Sequence, residues 1–427
     1  MVTPVVAEES HSSGMNHMHK QQQHKQSQHK EMEDKGKHKG MQHSGGHHGG
    51  HGAITKGIEK FPTSSYTKSK AVRAIQEPEM PKMQGNPIKG KHLVASSKGR
   101  CLACHIVSAD KEQAGDVGPN LSTYSSYGRS THYTFQQIWD ARAHNAKTLM
   151  PPLGTNGVLN KHEVMHIVAY LEAINEKVVA PLRPKSESRN YYVAGEDLTL
   201  ADDYIDEGEA LFNKPGKNGK SCASCHTSGN TSSKAPSLKG VAASYPKYDK
   251  QLNKVALIET RNNYCRKKYM HSDSYKLGSR DSNTLSSYIK YLARNEAMSV
   301  SANPKIQNSI QKGKQSFYKK TGQLNFSCAD CHDSASGKWL RGQSLSSIKL
   351  GGEHSYTAAT WPKHFIALHD LGLISMQQRI RHCQIVTRTY PLKLGAPEYV
   401  NMELFITSLA KGQPMQAPTK SKLRGAD

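Results

Sequence analysis

The sequence has little apolar material for its length and no long apolar run. Of its 427 residues, 35% are hydrophobic and 7% are aromatic, and the mean hydropathy is −0.70. A transmembrane helix needs roughly 18–20 consecutive apolar residues, and no stretch approaches this length, so we expect no membrane span. The N-terminus also lacks the apolar core of a secretory signal peptide.

Acidic residues are scarce as well. The 35 Asp and Glu residues stand against 58 Lys and Arg residues, which gives a formal net charge of +23. Such a charge favours anionic partners and substrates and attracts them electrostatically. Nucleic acid is the default anionic partner, but the sequence contains no nucleic-acid-binding motif, so we expect no nucleic-acid partner.

Six of the 8 cysteines fall in three copies of one motif, Cys-x-x-Cys-His. The copies are Cys101-Leu-Ala-Cys104-His105, Cys222-Ala-Ser-Cys225-His226 and Cys328-Ala-Asp-Cys331-His332. This motif attaches c-type haem, in which the two cysteines form thioethers and the histidine ligates the iron. A zinc site would pair two Cys-x-x-Cys units in one fold, and a thioredoxin-type motif would not need the histidine. The sequence therefore predicts three covalent haems c.

Three haems set the expected fold and location. The length allows about three domains, and haem-filled cores would explain the low hydropathy. We predict a mainly α fold with three class I cytochrome c-like haem domains. Because bacteria attach haem to this motif outside the cytoplasm, we expect a periplasmic protein whose signal peptide has been removed.

The chain divides by composition and by the positions of the motifs. We expect, in order, a disordered His-rich tail (1–60), a linker (61–84), a first haem domain (85–178), a linker (179–195), a second haem domain (196–302), a third haem domain (303–413) and a basic tail (414–427). The histidines of the first tail could bind copper, zinc or nickel weakly. A solvated tail is the simpler interpretation.

In the first haem domain, Met150 stands directly before two prolines. A residue before proline is driven into extended backbone, which can present the thioether to the iron opposite His105. Met/His ligation raises the reduction potential. His144 is the rival ligand, and core packing is the ordinary alternative for Met150.

A helix is predicted to close this domain from Lys161 to about Ile174. Asn160 and Glu163 form a plausible capping box at its start. The apolar residues then recur at helical spacing, which predicts one buried face.

The second and third haem domains repeat each other. Each has Gly-x-x-x-Phe before its haem motif, an aromatic-Pro-Lys after it, and then Arg-x-x-x-Cys. The paired segments are Gly208–Phe212 and Gly313–Phe317, Tyr245–Lys247 and Trp361–Lys363, and Arg261–Cys265 and Arg379–Cys383. The pattern indicates an internal duplication.

The two cysteines outside the haem motifs, Cys265 and Cys383, occupy the same place in this repeat. A disulfide is chemically allowed in an oxidising compartment, but equivalent positions of two separate units have no reason to meet. We therefore predict that each thiolate ligates its haem iron, opposite His226 and His332, and lowers the potential. For the second haem the alternatives are Met270 and His271.

An arginine precedes each of these cysteines by four residues, which places both on one helix face. A guanidinium there favours the thiolate and can hold an oxyanion by paired hydrogen bonds. Binding a haem propionate is the ordinary role, which we prefer for Arg261. Around Cys383 the sequence adds further basic residues, namely Arg381, Arg388 and Lys393. This setting suggests oxidative chemistry on a small anion.

On these residues, 196–413 resembles the dihaem SoxA subunit of the sulfur-oxidation (Sox) cytochromes. The resemblance rests on the two haem motifs, Trp361-Pro362, the segment Arg379–Cys383 and the closing segment Glu398–Leu404. Residues 85–178 resemble the monohaem SoxX subunit through the haem motif, Gly118-Pro119 and Met150-Pro151-Pro152. The chain thus resembles a SoxX–SoxA fusion.

The resemblance implies an L-cysteine S-thiosulfotransferase, which joins thiosulfate oxidatively to a cysteine of the carrier SoxYZ. Two electrons would leave through the haems to a small cytochrome c. The family pattern makes Cys383 the catalytic sulfur, in some members a persulfide, and Arg379 the thiosulfate-binding residue. The haem of His332 would be catalytic, and that of His105 and Met150 would be the electron exit.

Two other functions stay open. A thiosulfate dehydrogenase would form tetrathionate with similar ligands, although three haem units with two cysteine ligands argue against it. A plain multihaem electron carrier would not need basic residues around an axial thiolate.

Overall fold

The computed structural model describes residues 73–108, 114–179, 200–226, 238–301, 303–340, 343–347, 363–365, 373–415 and 419–421. These residues belong to one compact unit that begins at His48. The predicted His-rich tail, with its proposed metal binding, lies outside the described residues, and so do parts of both linkers and most of the basic tail. The domain boundaries remain predictions.

Helices dominate the described part of the chain, as predicted. The α-helices are α1 (Pro87–Ala95), α2 (Thr131–Asp140), α3 (Lys161–Ala173), α4 (Leu200–Asn213), α5 (Ala223–His226), α6 (Ile258–Met270), α7 (Arg280–Leu292), α8 (Pro304–Tyr318), α9 (Met376–Val386) and α10 (Pro397–Ser408). Short 3₁₀ helices cover Cys101–Ala103, Tyr124–Tyr127, Ala141–Ala143 and Ala242–Ser244, and a π-helical turn covers Asp330–Ser334.

The strands are short and lie beside the helices. They are β1 (Lys247–Asp249), β2 (Lys254–Ala256), β3 (Trp339–Leu340), β4 (Gln343–Ser344), β5 (Lys363–Phe365), β6 (Leu373–Ile374) and β7 (Thr419–Ser421). β1 and β2 form an antiparallel hairpin, as do β3 and β4. β5 pairs antiparallel with β6 and parallel with β7. No described helix is both long and apolar enough to cross a membrane.

Helix α3 confirms the predicted capping box. The Asn160 side chain accepts a hydrogen bond from the Glu163 backbone N–H at 2.9 Å, and the Glu163 carboxylate accepts one from the Asn160 N–H at 2.9 Å. The helix buries Val164, Ile167 and other apolar residues on one face. It thereby supplies much of the core of the first haem domain, together with α2.

The second and third domains pack their helices in the same way. In α4 a Cβ on Gly208 would lie 2.7 Å from the Tyr288 Cβ of α7, and in α8 a Cβ on Gly313 would lie 2.7 Å from the Phe405 Cβ of α10. Each glycine therefore lets two helix backbones come close together. The accompanying ring contacts are Phe212–Tyr288 at 5.3 Å and Phe317–Phe405 at 5.5 Å. These contacts support the duplication predicted from Gly-x-x-x-Phe.

The first domain contacts the third through buried residues. Leu324 and Phe326 lie in the core formed by α2 and α3. The Asn156 side-chain amide donates to the Gln323 carbonyl at 2.8 Å, and the Gln323 amide donates to the Asn156 carbonyl at 3.3 Å. The core of the second domain likewise continues into α9 and α10 of the third through Met376 and other residues.

Candidate active site

The third haem motif lies at a tight turn. Cys331 and His332 are on the π-helical turn Asp330–Ser334, just after Cys328. The His332 Nδ1 is 2.8 Å from the Ser346 carbonyl oxygen. Because a carbonyl only accepts, Nδ1 carries the proton, and the basic lone pair of the ring is on Nε2. The imidazole is therefore oriented as an axial ligand requires.

Helix α9 brings the predicted pair Arg379 and Cys383 to this histidine. Ser375 and Gln378 form a capping box that starts the helix, and the four-residue spacing places both functional side chains on one face. The Cys383 thiol is hydrogen-bonded to the His332 imidazole and interacts electrostatically with Arg379. The structure thus brings together three residues that the sequence assigned to one site.

The electrostatics of this site favour a thiolate. Burial raises the pKa of the Cys383 thiol, but the Arg379 guanidinium and the His332 hydrogen bond lower it by more, to about 7. Burial instead raises the pKa of Cys328 and of Cys331 to about 12. Because the thiolate is the nucleophilic form of cysteine, Cys383 is the sulfur here that is suited to chemistry.

His382 also belongs to this site, and the sequence reasoning missed it. Its Nδ1 lies 3.1 Å from the Arg379 Nη1. Burial and the neighbouring guanidinium lower the pKa of His382 to about 4, so the ring is neutral at pH 7 and accepts the arginine N–H. The three-residue spacing on a helix was the signal that could have found this contact.

The prediction that Arg388 belongs to a basic cluster around Cys383 is wrong. The chain turns at Arg388 with a left-handed φ of 57°, just after α9 ends. Its Nη2 donates to the carbonyls of Ser97 and Lys98, at 2.8 and 3.0 Å. Arg388 therefore joins the third domain to the first instead of lining the Cys383 site.

The second site repeats the same arrangement with one addition. Helix α6 carries Arg261 and Cys265, and Cys265 interacts electrostatically with Arg261 and with Cys225 of the haem motif. However, the Arg261 Nη1 also donates to Asp249 at 3.1 Å and to Gln251 at 2.7 Å. Burial raises the pKa of Cys265, and Arg261 offsets this only in part because Asp249 opposes it.

The alternatives considered for Cys265 have other surroundings in the structure. Cys265 and Cys383 both have free thiols, so no disulfide joins them. The Met270 sulfur is buried 3.9 Å from the Cys222 sulfur, beside the haem-attachment cysteine. His271 is exposed at the C-terminal cap of α6. Of these three candidate ligands, Cys265 is the one that interacts with Arg261, four residues before it on α6.

In the first site, His105 is fixed in the same manner as His332. Its Nδ1 lies 2.8 Å from the Pro119 carbonyl oxygen. Gly118 contacts the ring so closely that an added Cβ would lie 2.2 Å from its Cε1. The predicted Gly-Pro turn therefore holds the imidazole between the motif and the loop that follows.

Met150 and its rival His144 are distinguished by their contacts. The Gln137 amide donates to the Met150 sulfur at 3.7 Å, and Met150 packs on the apolar core that includes Cys101. His144 instead bonds the Gln137 Oε1 through Nδ1 at 2.8 Å and stacks on Tyr133 with 4.2 Å between ring centroids. His144 is thus held on the surface of α2, whereas Met150 packs against the same core as Cys101.

Part of the chain is similar to known proteins. Residues 207–298 match the family model described as SoxA/TsdA, cytochrome c domain. The L-cysteine S-thiosulfotransferase subunit SoxA of Pseudaminobacter salicylatoxidans is 32% identical over 216 residues, covering 50% of this chain and 70% of that protein. A SoxA of Hydrogenobacter thermophilus is 33% identical over 221 residues, covering 51% of this chain and 82% of that protein.

The chain belongs to the SoxA family. The crystal structure of SoxXA from P. pantotrophus is 26% identical, with a TM-score of 0.47, over 52% of this chain and 79% of that chain. The cytochrome c domain implies covalently bound haem c. Sulfur oxidation and electron transport are the processes to which this family belongs.

The residues of the SoxA region fit covalent haem c. No disulfide joins the haem-attachment cysteines, so they are available for thioether formation. In the third motif the Nδ1 hydrogen bond of His332 leaves Nε2 to ligate the iron, and Cys383 contacts the same imidazole. In the first motif the Nδ1 hydrogen bond of His105 likewise leaves Nε2 for the iron.

The first and third haem motifs are neighbours. Cys104 of the first motif and Cys331 of the third interact electrostatically. The Asp116 backbone N–H donates to the Trp339 carbonyl at 2.9 Å, which ties the loop after the first motif to β3 of the SoxA region. Two of the predicted haem sites thus share one interface.

Proposed function

We propose that this SoxA-family chain is a periplasmic trihaem cytochrome c that acts as an L-cysteine S-thiosulfotransferase. It joins thiosulfate to a cysteine of a SoxYZ-type carrier and passes two electrons to a small cytochrome c. The observation that carries the proposal is the Cys383 sulfur, which faces His332 and lies beside Arg379 on α9. Residues 85–178 serve as a SoxX-like domain in the same chain.

Three haem sites follow from the motifs. The covalent attachment residues are Cys101 and Cys104, Cys222 and Cys225, and Cys328 and Cys331. The residues that would hold the haem irons are His105 and Met150, His226 and Cys265, and His332 and Cys383. When bound, each haem supplies a one-electron acceptor whose potential is set by its axial ligand.

Arg379 supplies the substrate site. Its guanidinium can hold two oxygens of the thiosulfate sulfonate by paired N–H bonds, while His382 accepts another of its N–H groups. Held in this way, the outer sulfur of thiosulfate lies against the Cys383 thiolate, four residues along the same helix face.

The reaction balances as one oxidative coupling followed by one sulfur exchange. In the first, the Cys383 thiolate and the outer sulfur of thiosulfate form a disulfide-type bond, and two electrons leave. In the second, the thiolate of the carrier cysteine attacks the outer sulfur, takes up the thiosulfate group and releases Cys383 as thiolate. The net change is one new S–S bond on the carrier and two electrons for the acceptor, and a protonated carrier thiol also releases its proton.

The electron path runs from the third site to the first. Cys331 and Cys104 are neighbours across the domain interface, so the haems that they attach are also neighbours. Thiolate ligation favours a low potential at the donor, and methionine ligation favours a high potential at the acceptor. The first haem would therefore be the exit to the small cytochrome c.

The test is thiosulfate-dependent reduction of an external cytochrome c, with and without a SoxYZ-type carrier. The transferase works only with the carrier and leaves a thiosulfonate mass on the carrier cysteine. Cys383→Ala abolishes this turnover, whereas the matched variant Cys265→Ala retains it.

Two outcomes would replace the proposal. Turnover without carrier, with tetrathionate as product, would make the chain a thiosulfate dehydrogenase. No turnover with all haems intact, and no spectral response to thiosulfate, would leave a multihaem electron carrier.

A further inference from the structure

Two sites in this chain present the same arginine and cysteine on equivalent helices. Arg261 and Cys265 lie on α6, and Arg379 and Cys383 lie on α9. Each arginine acts electrostatically on its cysteine sulfur. The proposed chemistry uses only the third-domain pair, so some other feature must separate the two sites.

The second site already contains an anion at its arginine. The Asp249 Oδ2 accepts from the Arg261 Nη1 at 3.1 Å, and the Asp249 side chain is 7% exposed. The other carboxylate oxygen accepts from the backbone N–H groups of Gln251 and Leu252 at 2.8 and 3.1 Å. The turn between β1 and β2 therefore holds this carboxylate in place against the guanidinium.

Asp249 also has a defined equivalent in the repeat. It ends β1, two residues after Lys247 of Tyr-Pro-Lys, and the residue two after Lys363 of Trp-Pro-Lys is Phe365, which ends β5. The duplication thus has a carboxylate at this position in one copy and an aromatic side chain in the other.

The residue three positions after the arginine also differs between the two sites. Three residues after Arg379 stands His382, whose neutral ring accepts from the guanidinium. Three residues after Arg261 stands Tyr264, and the guanidinium lies over its ring at 5.0 Å. His382 and Tyr264 both contact an arginine without adding negative charge, whereas Asp249 places a carboxylate directly against Arg261.

We propose that Asp249 occupies at Arg261 the position that the thiosulfate sulfonate takes at Arg379, and so closes the second haem site to oxyanions. The inference rests on the proposed thiosulfate chemistry of the third site. It makes Asp249 the residue that keeps thiosulfate from the second Arg–Cys site. Arg261 has 28% of its side chain exposed, so a small anion can reach it once the carboxylate is neutralised.

Neutralising Asp249 should have a large effect. An effective dielectric constant of ~20 and a separation of a few ångströms imply that one unit charge changes the affinity for a dianion by about a hundredfold or more. Asp249→Asn keeps the shape of the side chain and removes only its charge. The control is Asp273→Asn, which removes an exposed carboxylate paired with Lys217.

The experiment is a titration of the full-length, haem-loaded protein with thiosulfate, and with sulfate as a redox-inert oxyanion. Electron paramagnetic resonance follows the two thiolate-ligated haems separately. In the parent and in Asp273→Asn, the added anion changes only the resonance signal of the third haem. In Asp249→Asn the second haem also responds, and the double variant with Arg261→Gln loses that response.

A reciprocal variant covers the case in which Asp249→Asn does not fold. Phe365→Asp introduces a carboxylate at the matching sequence position of the repeat, two residues after Lys363, and should abolish the thiosulfate response of the third haem, while Phe365→Asn retains it. The proposal is overturned if the second haem of a folded Asp249→Asn stays silent, or if the parent already responds at both haems. Absence of carrier-dependent turnover in the parent would refute the proposed function. The anion titration of Asp249→Asn would still decide whether this carboxylate closes the second site.

Discussion

The contact of Arg388 with the first domain yields a quantitative prediction. Its side chain is 2% exposed, and it donates two short hydrogen bonds to the carbonyls of Ser97 and Lys98. Hydrogen bonds from charged groups contribute about 1.5–3 kcal/mol each, so Arg388→Met should lose about 3–6 kcal/mol of free energy of unfolding. Methionine is chosen because it fills most of the same space without leaving a cavity.

Part of this loss in free energy of unfolding is offset, because the variant no longer buries a cation. Burial, followed by repulsion from Arg100, lowers the pKa of Arg388 to about 10 from 12.5. At about 1.36 kcal/mol per pKa unit, keeping the charge costs about 3 kcal/mol. The expected net destabilisation by Arg388→Met is therefore at most about 3 kcal/mol.

The assay is guanidinium unfolding followed at the first haem, together with the rate of electron transfer from the third haem to the first. Arg388→Met should unfold at lower denaturant and transfer electrons more slowly, because the domain interface is loosened. Arg129→Met is the control, since this exposed arginine contacts only the face of Tyr133 among the ring contacts of the described residues. Identical midpoints and rates in the parent and Arg388→Met would refute the reasoning.

Two further predictions concern buried groups. Burial and repulsion from Glu259 raise the pKa of Glu403 to about 8, although Lys290 lowers it. The proton on Glu403 therefore stabilises the folded state most at a pH below the unfolded pKa of ~4.3. This stabilisation is lost as the pH rises to about 8. Glu403→Gln should therefore gain stability relative to the parent from pH 5 to pH 8.5 in urea titrations, and parallel pH profiles would contradict this. Gly118→Ala would place a Cβ 2.2 Å from His105, so the first haem should lose its native axial histidine geometry and low-spin spectrum, and an unchanged spectrum and potential would disprove the contact.

Local patterns were sufficient for much of the fold and of the site. The capping box of Asn160 and Glu163 is a four-residue signal, and it was confirmed atom by atom. The placement of Arg379 and Cys383 on one face of α9 followed from a four-residue helix spacing, which is also a short-range feature. Such features are predictable because the chain conformation between the residues is fixed by one turn or one helix.

Contacts between distant segments were not predictable in this way. Arg388 is only five residues from Cys383, and sequence proximity suggested one basic cluster. A single residue with left-handed backbone redirects its side chain across the domain interface to Ser97. The sequence separation of 291 residues in that hydrogen bond explains why no local pattern indicated it.

The duplicated Arg-x-x-x-Cys motif shows where motif reasoning needs the tertiary structure. Both copies satisfy the same pattern, so the motif alone assigns both the same chemistry. In the structure Arg261 is bound by Asp249 from the β1–β2 hairpin, and this carboxylate opposes its effect on the Cys265 sulfur. The charge balance of the second site is thus set by a strand residue twelve positions before its arginine, outside the motif. A carboxylate at that strand position is therefore the feature to look for when an Arg–Cys haem site is assigned as reactive or closed.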